Sequence, residues 1–171
     1  MPKGCEMAGK NIFPVPNVPL KILKLLATKK NPFVIVGGAA MALHGIPRST
    51  IDIDIVVPAE NEAVKKLFLN IQKTGLLKRD RHIVRMIDRP DLLIGQWITL
   101  QDKTGIEIVD IFFENEKEFT GLLKRSKKIK GKKFNFYVAS LDDLEKMKKK
   151  SARAIDLADI ALIREKRGKK K

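Results

Sequence analysis

The stretch Val34–Pro58, VIVGGAAMALHGIPRSTIDIDIVVP, sets two acidic residues inside a run of isoleucines and valines. Phe33–Val36 reads as a buried strand. Gly37-Gly38 breaks it, and Ala39–Gly45 reads as a short helix closed by Gly45. Ile46–Ser49 is a loop, and Thr50–Pro58 is a strand that alternates strictly at its start. Side chains alternate across a strand, so Asp52 and Asp54 share one face and Ile51, Ile53 and Ile55 the other. Residues two apart along a strand are separated by about 6.6 Å. Carboxylates can converge from that spacing, but their charges repel unless something positive lies between them. Mg²⁺ typically takes one or two carboxylates together with substrate phosphates. A half-solvated strand with its polar residues outward would show the same alternation, so the pair alone leaves both readings open.

A second apolar strand, IEIVDIFFE at Ile106–Glu114, carries Asp110 between Ile108 and Phe112 on its own face. An isolated carboxylate there would be costly. Beside the first strand it would complete a cluster able to hold one or two metal ions. Such clusters activate an attacking hydroxyl and neutralise charge on a transferring phosphoryl or nucleotidyl group. Asp110 is also placed to act as a general base. The free backbone N–H groups at Gly37-Gly38 suit an anion, and glycine lets a phosphate approach closely. A tight turn is the alternative. A dinucleotide-binding loop is disfavoured, because Gly37-Gly38-Ala39-Ala40-Met41-Ala42 lacks the G-x-G-x-x-G spacing.

Outward from this centre, residues 1–16 look loose, and 17–166 are expected to form one domain ahead of a basic tail at 167–171. Residues 18–31 read as an amphipathic helix stopped at Asn31-Pro32, and residues 61–75 as a helix ended by Gly75. Strands are expected at 81–87, 93–101 and 106–114, the last two joined as a hairpin through Asp102-Lys103-Thr104-Gly105. A helix near Lys117–Leu123 leads into the basic run KRSKKIKGKK, then a strand at 134–140. Helices follow at 141–150 and 152–166, with Ser151 as an N-cap between them. The order predicts an α/β (α+β) fold: a mixed sheet with helices on one side and a helical pair at the C-terminus.

The 171 residues carry 35 Lys and Arg against 20 Asp and Glu, a net charge of +15. That field attracts phosphates, whether on a nucleotide or on RNA. No apolar run approaches the ~20 residues of a membrane span. The first residues lack a secretory pattern, and the lone Cys5 cannot form an internal disulfide. Together these point to a cytoplasmic protein with no membrane partner.

The combination of Gly37-Gly38, a short helix, R-S-T-I-D-I-D-I from Arg48 and a later apolar strand with one Asp resembles the nucleotidyltransferase fold of the polymerase-beta type. Within it, the chain is most similar to the minimal AbiEii-like branch found in toxin–antitoxin systems. The resemblance runs over roughly residues 31–163. It implies Gly37 and Gly38 as phosphate contacts, and Asp52, Asp54 and Asp110 as ligands of Mg²⁺ or Mn²⁺. Arg48 matches a basic residue ahead of the acidic strand. Lys148, Arg153, Asp156 and Asp159 match a recurring C-terminal set. The larger superfamily usually writes Gly-Ser where this chain has Gly38-Ala39, so one hydroxyl contact to phosphate is missing.

Arg153, Asp156 and Asp159 are spaced three apart and would share a helical face. They form either a surface ion-pair row or a device in which Asp156 orients Arg153 while Lys148 and Arg153 grip a triphosphate. His44 is expected to bond to a loop rather than act as a base. His82 has no evident partner. Arg81, Arg85 and Arg89 would line a solvated edge or an acceptor's phosphates. Trp97 is expected in the core or as sheet cover. The resulting expectation is metal-dependent transfer of a nucleoside monophosphate from a nucleoside triphosphate to a hydroxyl. The acceptor would be RNA, for instance a tRNA end, or a partner toxin or antitoxin protein. A non-catalytic nucleotide- or RNA-binding module is the alternative.

Overall fold

The computed structural model describes residues 17–76, 86–130 and 134–168. Helix α1 (Asn17–Thr28) leads to β1 (Val34–Val36), α2 (Gly37–Leu43), β2 (Ile53–Pro58) and α3 (Asn61–Gln72). A 3₁₀ turn at Pro90–Leu93 precedes β3 (Trp97–Gln101) and β4 (Glu107–Glu114). Then come α4 (Glu116–Arg125), β5 (Lys127–Lys130), β6 (Asn135–Val138), α5 (Leu141–Ser151) and α6 (Ala154–Gly168). The strands form one six-stranded mixed sheet in the order β3-β4-β2-β1-β6-β5. β2 runs parallel to β4 and antiparallel to β1, and β3 and β4 form the expected antiparallel hairpin.

One face of the sheet is apolar because its alternating positions are. Ile35, Ile55, Ile111 and Ile98 are register partners across four strands. With Ile53, Val57, Val109 and Phe113 they pack against Ile22, Leu23 and Leu26 of α1 and Val64, Leu67 and Phe68 of α3. The Phe68 and Phe113 rings stack at 6.3 Å. Each such fully buried side chain contributes about 1.5–3 kcal/mol relative to exposure. The opposite face carries the acids, and α5 stands beside it.

Several boundaries differ from the reading by pattern. α1 stops at Thr28, because Lys30 turns into the left-handed region at φ 55° and Asn31 is buried against Asn70 of α3. The expected strand at 93–101 begins only at Trp97, because Pro90 opens a 3₁₀ turn that lasts to Leu93. Most of the strand expected at 81–87, with Arg81, His82 and Arg85, lies outside the described residues, as do Cys5 and residues 1–16; Met86 is helical and Ile87–Asp88 form a turn, so the end of that stretch is not a strand. Part of the basic run, Lys127–Lys130, is an edge strand. Ser151 is the last residue of α5 and not an N-cap, since Ala152 ends the helix in the left-handed region at φ 49°. α6 runs past 166 to Gly168, because Arg167 pairs with Asp142 and Glu145 of α5.

Candidate active site

The site lies along one row of the sheet. Val36, Asp54, Asp110 and Thr99 are register partners on β1, β2, β4 and β3. Asp54 and Asp110 therefore face each other from parallel neighbours, an arrangement in which like charges destabilise a sheet. Asp52 joins them from just ahead of β2, and one oxygen from each of the three carboxylates lies within 4.8 Å of the others. The expected strand at 50–58 starts only at Ile53: β1 has already turned into α2 beyond Val36, so the residues before Ile53 have no β1 partner. In consequence Ile51 is 67 % exposed instead of packed with Ile53 and Ile55.

Two threonines hold the outer acids. Thr50 donates to Oδ1 of Asp52 at 2.6 Å, and Thr99 donates to Oδ1 of Asp110 at 2.6 Å. Each bond occupies one oxygen of its carboxylate and restrains the side chain beside the cluster. Gly37, at φ +63°, bends the chain over Asp54. A β-carbon there would lie 1.8 Å from Oδ2 of Asp54, so the position requires glycine for space as well as for its backbone angle. A β-carbon on Gly38 would press on Thr50 at 3.2 Å.

Charge crowding is visible in the acids themselves. Burial pushes the Asp54 carboxyl up to about 6, helped by the neighbouring charges of Asp52 and Asp110 and opposed by Lys148 and Arg153. Burial also raises Asp110, with Asp52 and Glu107 adding to the effect and the Thr99 bond opposing it. A cation in the cluster would offset that repulsion.

The C-terminal set forms a buried knot. Nζ of Lys148 lies 2.8 Å from Oδ1 of Asp156 and 2.7 Å from Oδ2 of Asp159. Both acids are buried, so these residues are not a surface row. Burial alone would raise Asp156, but hydrogen bonds from Lys148, Ser151 and Arg153 hold its carboxyl well below the usual range. Arg153 precedes α6, bonds Oδ2 of Asp156 through Nε at 3.0 Å and keeps a side chain 70 % exposed. Arg48 bonds Oδ1 of Asp159 at 3.1 Å, tying the loop ahead of the acids to α6.

A cleft of about 680 Å³ joins these parts. Gly37, Asp54, Asp110, Lys148 and Arg153 line it, together with Trp97 and Phe112 of the β3–β4 hairpin. Trp97 is 61 % exposed there and is not a core residue: its partner across the ladder, Phe112, lies on the acid face of the sheet. Arg48, bound to Asp159, is not among the lining residues. His44 donates through Nε2 to the carbonyl of Ala139 at 2.8 Å, as expected of a structural histidine. Arg89 pairs with Asp91. Thr50, Thr99 and the cleft position of Trp97 escaped the reading by pattern. A threonine two residues from Trp97 on a strand facing Asp110 was the available signal, once a hairpin register is drawn.

Residues 19–164 match the model of a family described as nucleotidyltransferase of unknown function (DUF6036). The chain belongs to this family. The fold agrees with two solved structures. One, from Thermotoga maritima, is provisionally described as a nucleotidyltransferase; it is 17 % identical, with a TM-score of 0.52 over 83 % of this chain and 89 % of that one. The other is an antigenic nucleotidyltransferase-like protein from Paracoccidioides brasiliensis, also 17 % identical, with a TM-score of 0.50 over 85 % and 72 %. No curated protein matches the sequence. Among the described residues of this family member, no helix is long and apolar enough to cross a membrane.

Proposed function

We propose that the protein transfers a nucleoside monophosphate from a nucleoside triphosphate to an acceptor hydroxyl, with a divalent cation held by Asp52, Asp54 and Asp110. The observation that carries this reading is the convergence of three carboxylates beside the Lys148 and Arg153 cations. The donor set fits Mg²⁺ or Mn²⁺: all three ligands are hard oxygens, and their mutual repulsion calls for a cation. When bound, such an ion polarises the triphosphate and lowers the proton affinity of the attacking hydroxyl.

The chain's own residues do the rest. The backbone at Gly37 and Gly38 seats the phosphates, because no side chain stands between it and the cleft. Lys148 and Arg153 offset charge on the departing pyrophosphate. Asp156 aims Arg153 while sharing Lys148 with Asp159, and Arg48 acts through Asp159 as a positioning residue. Asp110 takes the acceptor's proton as its oxygen bonds to the α-phosphorus and the bond from that phosphorus to the pyrophosphate oxygen breaks. Positioning and fixed charges account for most of the acceleration.

The net charge of +15 favours RNA as the acceptor. The test is incubation with α-labelled nucleoside triphosphates, Mg²⁺ and total tRNA, comparing the native chain with Asp54→Ala. Label on RNA from the native chain alone supports the proposal. Label on a co-expressed toxin or antitoxin protein instead moves the acceptor to that class. Silence with all four nucleotides and both acceptors, with nucleotide still bound, makes the protein a binding module.

A further inference from the structure

We propose that Trp97 is a stacking platform for an unpaired nucleobase of the acceptor strand, on the opposite side of the acids from the triphosphate. The proposal rests on the transferase reading for the direction of the reaction, but its evidence is separate.

The cleft is electrostatically lopsided. Lys148 and Arg153 line the cleft together with Gly37, which sits against Asp54, whereas β3 and β4, on the Asp110 side of the sheet, carry no Lys or Arg. The phosphates therefore belong at the Asp54 end, beside Gly37 and α5. In an in-line displacement the attacking and leaving oxygens lie on opposite sides of the phosphorus. The acceptor then enters from the Asp110 end, which is the β3–β4 hairpin. There the ladder sets Thr99 opposite Asp110 and Trp97 opposite Phe112, so Trp97 is the diagonal same-face neighbour of the acid that takes the proton.

That diagonal is about 7–8 Å, a span an aromatic side chain reaches across and one on the scale of a nucleotide from its terminal hydroxyl to its base. Trp97 is 61 % exposed and lines the cleft, with Phe112 tilted against it at 6.5 Å. An indole so exposed gains by covering its face. A base does this well, since every base has a π-face and a positively charged surface brings its strand near. Gly95, at φ +76° with open space around it, keeps the approach to the platform clear. A protein side chain carrying a hydroxyl would not need a planar surface at that distance.

Trp97 is the sole tryptophan of the chain, so its fluorescence reports on the platform directly. The experiment titrates the full chain with a short single-stranded oligoribonucleotide, with the same oligomer lacking its terminal base, and with a free nucleoside triphosphate and Mg²⁺. Binding is followed in parallel by anisotropy of a labelled oligomer. The expected result is saturable quenching by the intact oligomer, and weaker binding without quenching when the terminal base is missing. Trp97→Ala should weaken oligomer binding by roughly ten-fold, with Trp97→Phe in between. Both variants should keep native circular dichroism, since the side chain is exposed.

Binding of the intact oligomer without quenching overturns the proposal, as does undiminished binding by Trp97→Ala. Quenching by the free triphosphate that the oligomer does not compete for also overturns it, because the donor base would then occupy the platform. Label transfer to a protein by Trp97→Ala at the native rate overturns it too. Failure of the transferase reading looks different: quenching persists while no acceptor is labelled.

Discussion

A β-carbon on Gly37 would stand 1.8 Å from Oδ2 of Asp54. The glycine that follows β1 and the acid at the centre of the cluster therefore fit as a pair. Gly37→Ala forces an alanine to φ +63° at a cost of about 1 kcal/mol and drives the Asp54 carboxylate out of line. A displacement of that order costs about 100-fold in transfer rate. Gly75→Ala is the control: it sits at φ +70° with nothing within 4 Å, so it should carry the backbone cost without the kinetic one. Urea denaturation and single-turnover rates separate the two.

Asp54 makes the metal-free protein sensitive to pH. Its folded carboxyl is raised to about 6 from 3.8, so the unfolded chain releases this proton first as pH rises. The contribution of Asp54 to stability is then greatest below about pH 4 and falls until the folded carboxyl has ionised, by about 3 kcal/mol over pH 4–7. Asp110, also raised, acts in the same direction. Asp54→Asn should flatten most of that fall when unfolding is measured in chelator. Added Mg²⁺ should reduce it in the native chain and have little effect in the variant.

Lys148 and Arg153 should separate under mutation. Lys148 lies buried between Asp156 and Asp159, so Lys148→Met leaves two buried acids short of a cation and costs about 3 kcal/mol. Arg153 is mostly exposed, so Arg153→Ala costs about 1 kcal/mol or less. It should nevertheless raise the KM for the triphosphate several-fold. Thermal unfolding and steady-state kinetics on the two variants check the contrast.

Thr99 holds Asp110 below the value that its burial would set. Thr99→Val removes that hydrogen bond and keeps the shape. The Asp110 carboxyl should rise further, and the acid limb of the pH–rate profile should move to higher pH. An unmoved limb would show that Asp110 is not the group whose ionisation the reaction needs.

Much of this site was legible because periodicity speaks for faces. The alternation around Asp52 and Asp54, and a lone acid among Ile108, Val109, Ile111 and Phe112, marked the triad before any strand was paired. What could not be read depended on register and on contacts remote in sequence. Thr99 matters because it lies opposite Asp110, which follows from the hairpin's alignment and not from its composition. Arg48 reads as a phosphate ligand, and its bond to Asp159, 111 residues away, has no signal in the local sequence. Trp97 reads as core or sheet cover because tryptophan is usually buried; in the fold it lines the cleft and is exposed.

The most direct test is a titration of the protein with Mn²⁺ at neutral pH, followed by electron paramagnetic resonance. The native chain should bind Mn²⁺ at a site that tightens when nucleoside triphosphate is added, and Asp54→Asn and Asp110→Asn should each abolish it. If either variant retains native Mn²⁺ affinity, the three carboxylates do not share an ion, and the account of the site is wrong.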